Sequence, residues 1–241
     1  MLHVFIMCGG QQTRMQLDTP KQLVPVNGVP LVVRTIQQIH QLDGVSRVTL
    51  VAPQSPAWIE TAQQCNVERV APQHSLFLHE VQNRLDEIRH DGRAAILCGD
   101  TVFSDAFLSQ LLHPSKITFA CRFLPNIYTG RASSELYGFS WPTNVEQQFL
   151  LEQMVSFICL RLNKVEEHIR AATTDEATIA SVLEKNLSTW RLLHELYERA
   201  EVISTPIDDY TDDLDSPEDL GSLPKIEAAI QATTRRKELV S

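Results

Sequence analysis

The stretch that decides the fold reads VFIMCGGQQTRM at residues 4–15 and is followed by PKQL at residues 20–23. An apolar run stops there at two glycines, and an arginine and a lysine follow at short range. Glycine lets the backbone turn with positive φ and lets a ligand come close. Successive backbone N–H groups then face an anion, to which Arg14 and Lys21 add full positive charge. We therefore predict a strand that ends in a phosphate-binding loop.

Strand-like and helix-like segments alternate through the first half of the chain. This alternation indicates a mostly parallel sheet with helices on both faces. In such sheets a ligand lies outside the carboxyl ends of the strands, where the glycine loop and Asp100 are both expected. The predicted strands are Val4–Met7, Arg47–Ala52, Val67–Val70 and Ala94–Leu97, and the predicted helices are Leu31–Gln41, Trp58–Gln64, Leu76–Ile88 and Phe107–Leu112.

The second half is richer in helix. Residues 145–200 are almost all helix-like, and we interpret them either as an insertion that covers the site or as a dimerisation element. A last helix is expected over Ser216–Leu239, with Ser216 as its N-cap and a kink or interruption at Pro224. The other elements predicted here are the strands Ile117–Arg122, Glu135–Trp141 and Val202–Ile207 and the helices Phe149–Leu162, Thr174–Leu187 and Trp190–Ala200.

Composition argues against several classes of function. The chain has 241 residues and a formal net charge of −9, which argues against a nucleic-acid partner because phosphates would be repelled. No apolar run approaches the ~18 residues of a membrane span, and the N-terminus enters a strand without a signal-peptide pattern. The five cysteines are odd in number and none has C-x-x-C spacing, which favours reduced thiols. We therefore expect a cytoplasmic protein without a membrane partner.

A second landmark is an apolar strand that ends in Gly99 and Asp100. A carboxylate at the carboxyl end of a strand is well placed to hold a divalent cation over bound phosphates. The alternative is a turn aspartate that caps the helix near Phe103.

A third landmark is DDLDSPEDL at residues 212–220. Alternate residues of an extended segment face the same way, so Asp213 and Asp215 can converge on one ion while Leu214 packs inward. The alternative is that these acids only stabilise the positive end of the helix that follows.

The glycine loop with its Thr-Arg-Met ending and the Pro-Lys pair resemble the signature of the nucleotidyltransferases that activate sugar phosphates and related phosphate esters. The usual pattern there is Gly-Gly-x-Gly-Thr-Arg-Met, and Gln12 stands in place of the second loop glycine. The segment around Asp215 resembles the Asp-Ile-Asp-Thr-Pro-Glu-Asp-Leu segment of many of these enzymes. The resemblance implies an α/β fold: a Rossmann-like mixed, mostly parallel sheet with helices on both faces (the nucleotide-diphospho-sugar transferase fold) and a helical insertion.

The resemblance also implies roles for individual residues. Asp100 and Asp215 would bind Mg²⁺, and Asp213 is a weaker third candidate. Arg14 and Lys21 would be catalytic: the first grips the triphosphate, and the second bridges its α-phosphate and the incoming phosphate. The residues expected to bind the nucleotide are Gly9, Gly10, Gln11, Gln12, Thr13, Arg14, Lys21, Gln73, Ser75 and Gly99. For Ser75, a helix N-cap is an equally good interpretation.

The acceptor side is less well defined. The run Tyr137-Gly138-Phe139-Ser140 resembles a strand of sugar-activating members near the acceptor, although core packing is the simpler role for both aromatic residues. Glu135 is expected to hydrogen-bond sugar hydroxyls, and Arg122 and Arg131 to bind the acceptor phosphate. We reject His74 and His79 as a metal site, because an i, i+5 spacing places them on different faces of a helix.

Taken together, these features predict a Mg²⁺-dependent nucleotidyltransferase that condenses a nucleoside triphosphate with a sugar phosphate to give a nucleotide sugar and pyrophosphate. One alternative is a nucleotide-sugar-dependent glycosyltransferase, because Asp213-Leu214-Asp215 matches an Asp-x-Asp motif. Another is a nucleotide-binding module in which Gln12 has weakened catalysis. We expect one domain over 1–241, comprising a nucleotide-binding half (1–122), a helical acceptor or homodimer lobe (145–200) and a C-terminal metal-ligand segment with its helix (201–241).

Overall fold

The computed structural model describes residues 1–9, 15, 17–74, 77–85, 87–88, 92–123, 125–130, 136–175, 178–179, 200–206 and 208–240. Its central sheet consists of β1 (Leu2–Met7), β4 (Val45–Val51), β5 (Glu68–Val70), β6 (Arg93–Cys98), β8 (Thr118–Cys121), β9 (Leu136–Pro142) and β10 (Glu201–Ser204). Two short antiparallel pairs lie outside this sheet, namely β2 (Pro25–Val26) with β3 (Val29–Pro30) and β7 (Thr101–Val102) with β11 (Asp212–Asp213).

The helices within these ranges are α1 (Leu31–His40), α2 (Pro56–Cys65), α3 (Phe77–Leu85), α4 (Asp105–Leu111), α5 (Val145–Ala172) and α6 (Pro217–Val240), and a 3₁₀ turn covers Lys21–Leu23. In the part of the chain that the structure describes, no helix is both long and apolar enough to cross a membrane.

The seven strands follow the spatial order β10-β8-β9-β6-β1-β4-β5. Strand β9 runs antiparallel to both of its neighbours, and the other pairings of the sheet are parallel. In the register of the three central strands, Met7 is level with Val51 and with Cys98. The carboxyl ends of β1, β4 and β6 therefore finish at one edge of the sheet. The predicted mixed, mostly parallel α/β sheet is confirmed.

Helices cover both faces of the sheet, as the alternation of elements predicts. On one face, α1, α2 and α4 bury apolar side chains such as Ile36, Trp58 and Phe107 against the strands. On the other face, α3 and α5 pack Val81 and Leu151 against Phe5 and its neighbours. Every strand of the sheet except β5 contributes to both layers, because successive side chains of a strand point to opposite faces.

A third apolar cluster attaches the end of the chain to its beginning. It joins Val26 of the first hairpin and Leu31 of α1 to Leu214, beyond β11, and to Leu223 and Ile226 of α6. Helix α6 continues without a break through Pro224, so the interruption considered for that position is wrong. Pro224 is exposed while Leu223 and Ile226 are buried, so packing holds the helix where proline removes one backbone bond.

Of residues 145–200, the structure describes one long helix, α5, which ends at Ala172. Helix α5 begins four residues before the predicted Phe149, because the Asn144 side chain accepts a hydrogen bond from Gln147 N at 2.9 Å and caps it. The predicted helices Thr174–Leu187 and Trp190–Ala200 lie mainly outside the described residues.

Candidate functional site

Lys21 lies where three separated segments of the chain meet. Its Nζ is 2.5 Å from Asp100 Oδ2 and also contacts Asp215 Oδ1. The three side chains are only 12, 21 and 11 % exposed, respectively. One buried ammonium is thus held between two carboxylates, and the group carries a net negative charge that a further cation would neutralise.

The pKa of Lys21 reflects two opposing effects. Burial disfavours the ammonium and lowers the pKa, but the nearby Asp100 and Asp215 carboxylates favour the ammonium, and together they raise the pKa above its usual value. Lys21 therefore carries a full positive charge at neutral pH.

Gly99 allows Asp100 to reach this position. The Gly99 N–H donates to Met7 O at 3.0 Å, which ties the end of β6 to the end of β1. A Cβ on Gly99 would lie 2.4 Å from Cys8 Sγ and 2.9 Å from Met7 O. Such a close approach of two strand ends requires a glycine, which gives Gly99 a packing role beside its predicted one in nucleotide binding.

The pairing of β7 with β11 brings the C-terminal acids to Asp100. Leu214 N donates to Asp100 O at 2.9 Å, and Leu214 is fully buried. Asp215, the next residue, contacts Lys21. Burial, and then the charges of Asp100 and Asp213, raise the pKa of the Cys98 thiol, so Asp213 lies near the end of β6. Leu214 packs inward and Asp215 reaches Lys21, as the predicted alternation requires of these two residues, while the convergence of Asp213 with Asp215 stays a prediction.

Other residues fill the helix-capping roles considered for Asp100 and Asp215. Helix α4 is capped by Ser104, whose side chain accepts from Phe107 N at 3.1 Å. At the start of α6, Asp219 Oδ2 accepts from the N–H groups of Asp215 and Ser216 at 2.8 and 2.7 Å. The side chains of Asp100 and Asp215 are instead directed to Lys21.

A cavity of about 150 Å³ adjoins this group at the carboxyl edge of the sheet. Three of the predicted site residues line it, namely Gly9, Lys21 and Asp100. The other lining residues carry no sequence pattern that assigns them to the site, and His74 among them is rejected above as a metal ligand; they are Met7, Gln22, Val51, Pro72, His74, Phe77, Glu80 and Cys98.

The predicted nucleotide ligands Gly10, Gln11, Gln12, Thr13, Arg14 and Ser75 lie outside the described residues, as do Glu135 and Arg131. Gln73 is described, and its side-chain oxygen accepts from Asn83 Nδ2 at 3.1 Å. The exposed Gln73 side chain therefore contacts α3 and is not part of the cavity wall. A sequence pattern gives no sign of this orientation.

His74 and His79 do meet, contrary to the argument from helical spacing. Their ring centroids are 5.6 Å apart with an edge-on geometry. Helical spacing does not apply to this pair, because α3 begins at Phe77 and His74 lies before the helix. Among the described residues, no group of three or more His, Cys, Asp or Glu side chains is arranged to hold a metal by protein ligands alone.

Arg122 lies behind the site and is completely buried. Its Nε donates to the Tyr137 hydroxyl at 3.1 Å, and its Nη2 donates to the backbone carbonyls of Asp209 and Thr211. Tyr137 in turn donates to Asp212 Oδ1 at 3.2 Å. We predicted that Arg122 binds an acceptor phosphate, but its guanidinium instead supports β11 from within the core, and burial of this kind is not visible in a sequence.

The aromatic residues of β9 belong to the core. Tyr137 is fully buried, and Phe139 stacks on Trp141 with 5.7 Å between ring centroids. Core packing, the simpler of the two predicted roles, is confirmed for both Tyr137 and Phe139.

Comparison with known proteins identifies one matching family model and several related sequences. A family model described as the MobA-like NTP transferase domain matches residues 4–125. The 2-C-methyl-D-erythritol 4-phosphate cytidylyltransferase of Phocaeicola vulgatus is 31 % identical over 102 residues, which cover 39 % of this chain and 45 % of the relative. The bifunctional protein GlmU of Acinetobacter baylyi is 33 % identical over 117 residues, covering 48 % of this chain and 26 % of the relative. The chain thus spans less than half the length of these curated relatives.

Solved structures share the fold over nearly the whole chain. The CTP:phosphocholine cytidylyltransferase of Streptococcus pneumoniae has a TM-score of 0.58 at 14 % identity, covering 93 % of this chain and 98 % of that protein. A putative glucose-1-phosphate thymidylyltransferase of Bacillus anthracis has a TM-score of 0.59 at 11 % identity, covering 95 and 94 %. The fold is therefore that of the nucleotide-diphospho-sugar transferases, and, since the family model spans half of the sequence, the chain belongs to the MobA-like NTP transferase domain family.

Proposed function

We propose that the protein is a Mg²⁺-dependent nucleotidyltransferase that condenses a nucleoside triphosphate with a sugar phosphate, or a similar phosphate ester, and releases pyrophosphate. The observation that carries this proposal is the Lys21 ammonium held between Asp100 and Asp215 in the wall of the cavity. A buried cation between two carboxylates at the carboxyl edge of a parallel sheet is suited to the phosphates of a nucleotide.

The residues present fit a magnesium ion. Two carboxylates converge on one point, and the Lys21 ammonium lies there in place of a metal cation. Mg²⁺ is usually held by one or two carboxylates together with substrate phosphates, so a third protein carboxylate is not required. Asp100 and Asp215 would hold the ion, with Asp213 as a third candidate. When bound, the ion supplies neutralisation of the negative charge on the phosphates.

The side chains of the site would contribute position and charge. We propose that Lys21 contacts both the α-phosphate and the acceptor phosphate, and that Arg14 binds the triphosphate. An acceptor phosphate oxygen forms a bond to the α-phosphorus while the bond from that phosphorus to the pyrophosphate oxygen breaks. No covalent enzyme intermediate is needed, because orientation and charge stabilisation supply the catalysis.

The relatives suggest which substrates to test. Their names include a cytidylyltransferase for 2-C-methyl-D-erythritol 4-phosphate, one for phosphocholine and a thymidylyltransferase for glucose 1-phosphate. We propose a screen of ATP, CTP, GTP, UTP and dTTP against these three acceptors and other sugar 1-phosphates, with Mg²⁺ present and pyrophosphate release as the readout. We expect one triphosphate and one acceptor class to stand out.

Asp100→Asn tests the site within that assay. We expect a loss in kcat of at least about 100-fold with an unchanged far-UV circular dichroism spectrum, because the variant loses a charge that the reaction uses. Asp18→Asn is the matched control, since Asp18 is an exposed carboxylate three residues before Lys21, and it should keep wild-type turnover.

Three results would count against the proposal. Full turnover by Asp100→Asn would refute the role of that carboxylate. Triphosphate binding by calorimetry without turnover on any acceptor would favour a nucleotide-binding module. Sugar transfer from a supplied nucleotide sugar without pyrophosphate would favour a glycosyltransferase.

A further inference from the structure

Glu80 is a buried carboxylate in the cavity wall for which the proposed reaction has no role. It lies in the first turn of α3 and is 2 % exposed. Its neighbours in the wall are Pro72, His74 and Phe77. A charged side chain in such a position needs an explanation, because burying a carboxylate is costly unless it is paired and hydrogen-bonded.

The contacts of Glu80 fix the loop that follows β5. Its Oε2 accepts from Gln73 N at 2.7 Å and from His74 N at 3.0 Å. These two consecutive amides lie beyond the last residue of β5, Val70. Charge-assisted bonds of this kind are short and strong. Glu80 therefore holds in place the segment that presents Pro72 and His74 to the cavity.

The partner of Glu80 does not account for its presence. Arg84 Nη2 lies 2.9 Å from Glu80 Oε1, and Arg84 also contacts Glu87, which is partly exposed. A buried ion pair is often no more stabilising than apolar side chains of the same volume. An apolar residue at position 80 would, however, leave the Gln73 and His74 amides without their acceptor. The loop contacts are the part of this arrangement that only a carboxylate or an amide can supply.

The position of this loop in the sheet indicates which part of a nucleotide it would meet. Asp100 follows β6 and the loop follows β5, and β1 and β4 lie between these strands. Three strand spacings of ~4.8 Å separate the ends of β6 and β5 by about 14 Å, and the loop leans back from there until Pro72 lies beside Gly9. Phosphates belong at the Lys21 and Asp100 end of the cavity. The end formed by Pro72, His74 and Phe77 offers ring surfaces of the kind that bind a nucleoside.

We propose that Glu80 is a positioning residue for the nucleoside end of the cavity. By holding the amides of Gln73 and His74, it fixes the wall against which the nucleoside packs, and so sets nucleotide affinity and the discrimination between nucleotides. The inference rests on the proposed function, because it assigns the two ends of the cavity to the two parts of a nucleoside triphosphate.

The test compares variants that separate the loop contacts from the ion pair. Glu80→Met with Arg84→Met removes both buried charges and the acceptor. Glu80→Gln with Arg84→Met has the same charge but restores one oxygen for the two amides. Glu87→Gln is the matched control, since it removes the other carboxylate on Arg84 and leaves the loop contacts in place. The probe is the triphosphate with the highest kcat/KM in the wild-type screen, with the second-best triphosphate as competitor.

We expect the double methionine variant to raise the KM for the preferred triphosphate at least about tenfold, as the loss of two charge-assisted hydrogen bonds implies. Its kcat/KM ratio between the two triphosphates should fall, while the KM for the acceptor and the melting temperature stay near wild type. The glutamine variant should recover part of the nucleotide KM, and Glu87→Gln should match wild type. A merely structural Glu80 would not move the ratio.

Two outcomes overturn the inference while leaving the proposed function intact. One is a folded double methionine variant whose nucleotide KM and kcat/KM ratio between the two triphosphates stay within about twofold of the values of an active wild-type protein. The other is a glutamine variant no better than the methionine one. If the methionine variant does not fold, the decision rests on Glu80→Gln, with Glu87→Gln as its control. A nucleotide KM that is raised in Glu80→Gln but not in Glu87→Gln supports the inference, and equal values in the two variants overturn it. A wild type that neither binds nor turns over any triphosphate defeats the proposed function itself.

Discussion

At the scale of single residues, short-range motifs predict the charged centre of the site but not its surroundings. Lys21, Asp100 and Asp215 each follow a local pattern, and the structure brings all three together. Glu80 has Arg84 four positions later on α3, which in a sequence is typical of a solvated helix pair. Only the packing of α3 on the sheet shows that this pair is buried, just as only the fold shows that Arg122 lies in the core.

Lys21 occupies the point at which the proposed metal would bind, so the two cations compete for the same carboxylates. We predict that Lys21→Met, which keeps the length of the side chain without its charge, tightens Mn²⁺ binding to the nucleotide-free protein. Two uncompensated carboxylates attract a divalent ion more strongly, and we expect at least about a tenfold gain in affinity. Titration calorimetry or electron paramagnetic resonance measures it.

Asp215→Asn introduced into the Lys21→Met protein provides the control for this prediction. It removes one of the two carboxylates and should cancel the gain. Equal or weaker Mn²⁺ binding by Lys21→Met alone would show that the ion does not use the place where the ammonium lies.

At the scale of elements, apolar periodicity located the strands, whereas helix ends depended on contacts that the sequence does not display. Strand β6 was predicted over Ala94–Leu97 and covers Arg93–Cys98. Helix α5 starts earlier than predicted because of a single capping side chain, and α6 passes through a proline because tertiary packing holds it. Local propensity is a weak prior when neighbouring elements supply most of the stability.

The junction of β6 with β1 depends on the missing side chain of Gly99. We predict that Gly99→Ala lowers the free energy of unfolding by about 1–3 kcal/mol, since the new methyl group would overlap Cys8 Sγ and the Met7 carbonyl. Urea denaturation measures this loss. A double-mutant cycle with Cys8→Ala should show a positive coupling, because that change removes the sulfur but not the carbonyl.

Gly221 is the control position for this prediction. It lies in α6, and a Cβ added there would meet no atom within 4 Å. Gly221→Ala should raise the stability by up to ~1 kcal/mol through helix propensity. Equal effects of alanine at positions 99 and 221 would contradict the packing role of Gly99.

At the scale of the whole molecule, the fold class follows from the sequence because alternating strands and helices admit few arrangements. The antiparallel insertion of β9 between β6 and β8 was not predictable, since it depends on pairings between distant segments. The same holds for the pairing of β11 with β7, on which the site depends. Long-range contacts of this kind leave no local pattern.

The stability of the molecule should depend on pH through His3. Burial, and then the charge of Arg47, lower the pKa of His3 from 6.5 to about 4. The folded protein therefore holds His3 neutral, while the unfolded chain takes up a proton as pH falls below 6.5. The contribution of His3 is present above about pH 6.5 and is lost as pH falls toward 4.

His3→Gln isolates this contribution from that of the carboxylates. Glutamine does not titrate and can still contact Thr49, whose Oγ1 lies 3.0 Å from His3 Nε2. We expect wild type to lose more unfolding free energy than His3→Gln between pH 7 and pH 5, as measured by urea denaturation at each pH. Parallel losses in both proteins would show that His3 titrates alike in the folded and unfolded states.

The contact of α6 with the first hairpin has a consequence for how the protein is made. Glu227 accepts a hydrogen bond from Asn27 N at 2.6 Å, and Gln231 donates to Asn27 Oδ1 at 3.1 Å. Asn27 follows closely after Lys21 in the chain. Lys21 and its partner Asp215 are 194 residues apart. A ribosome therefore exposes the lysine long before it synthesises the acid, and a nascent chain shorter than this cannot complete the group of Lys21, Asp100 and Asp215. If this group binds a nucleotide as proposed, capture of the nucleotide during translation would report that synthesis has passed Asp215.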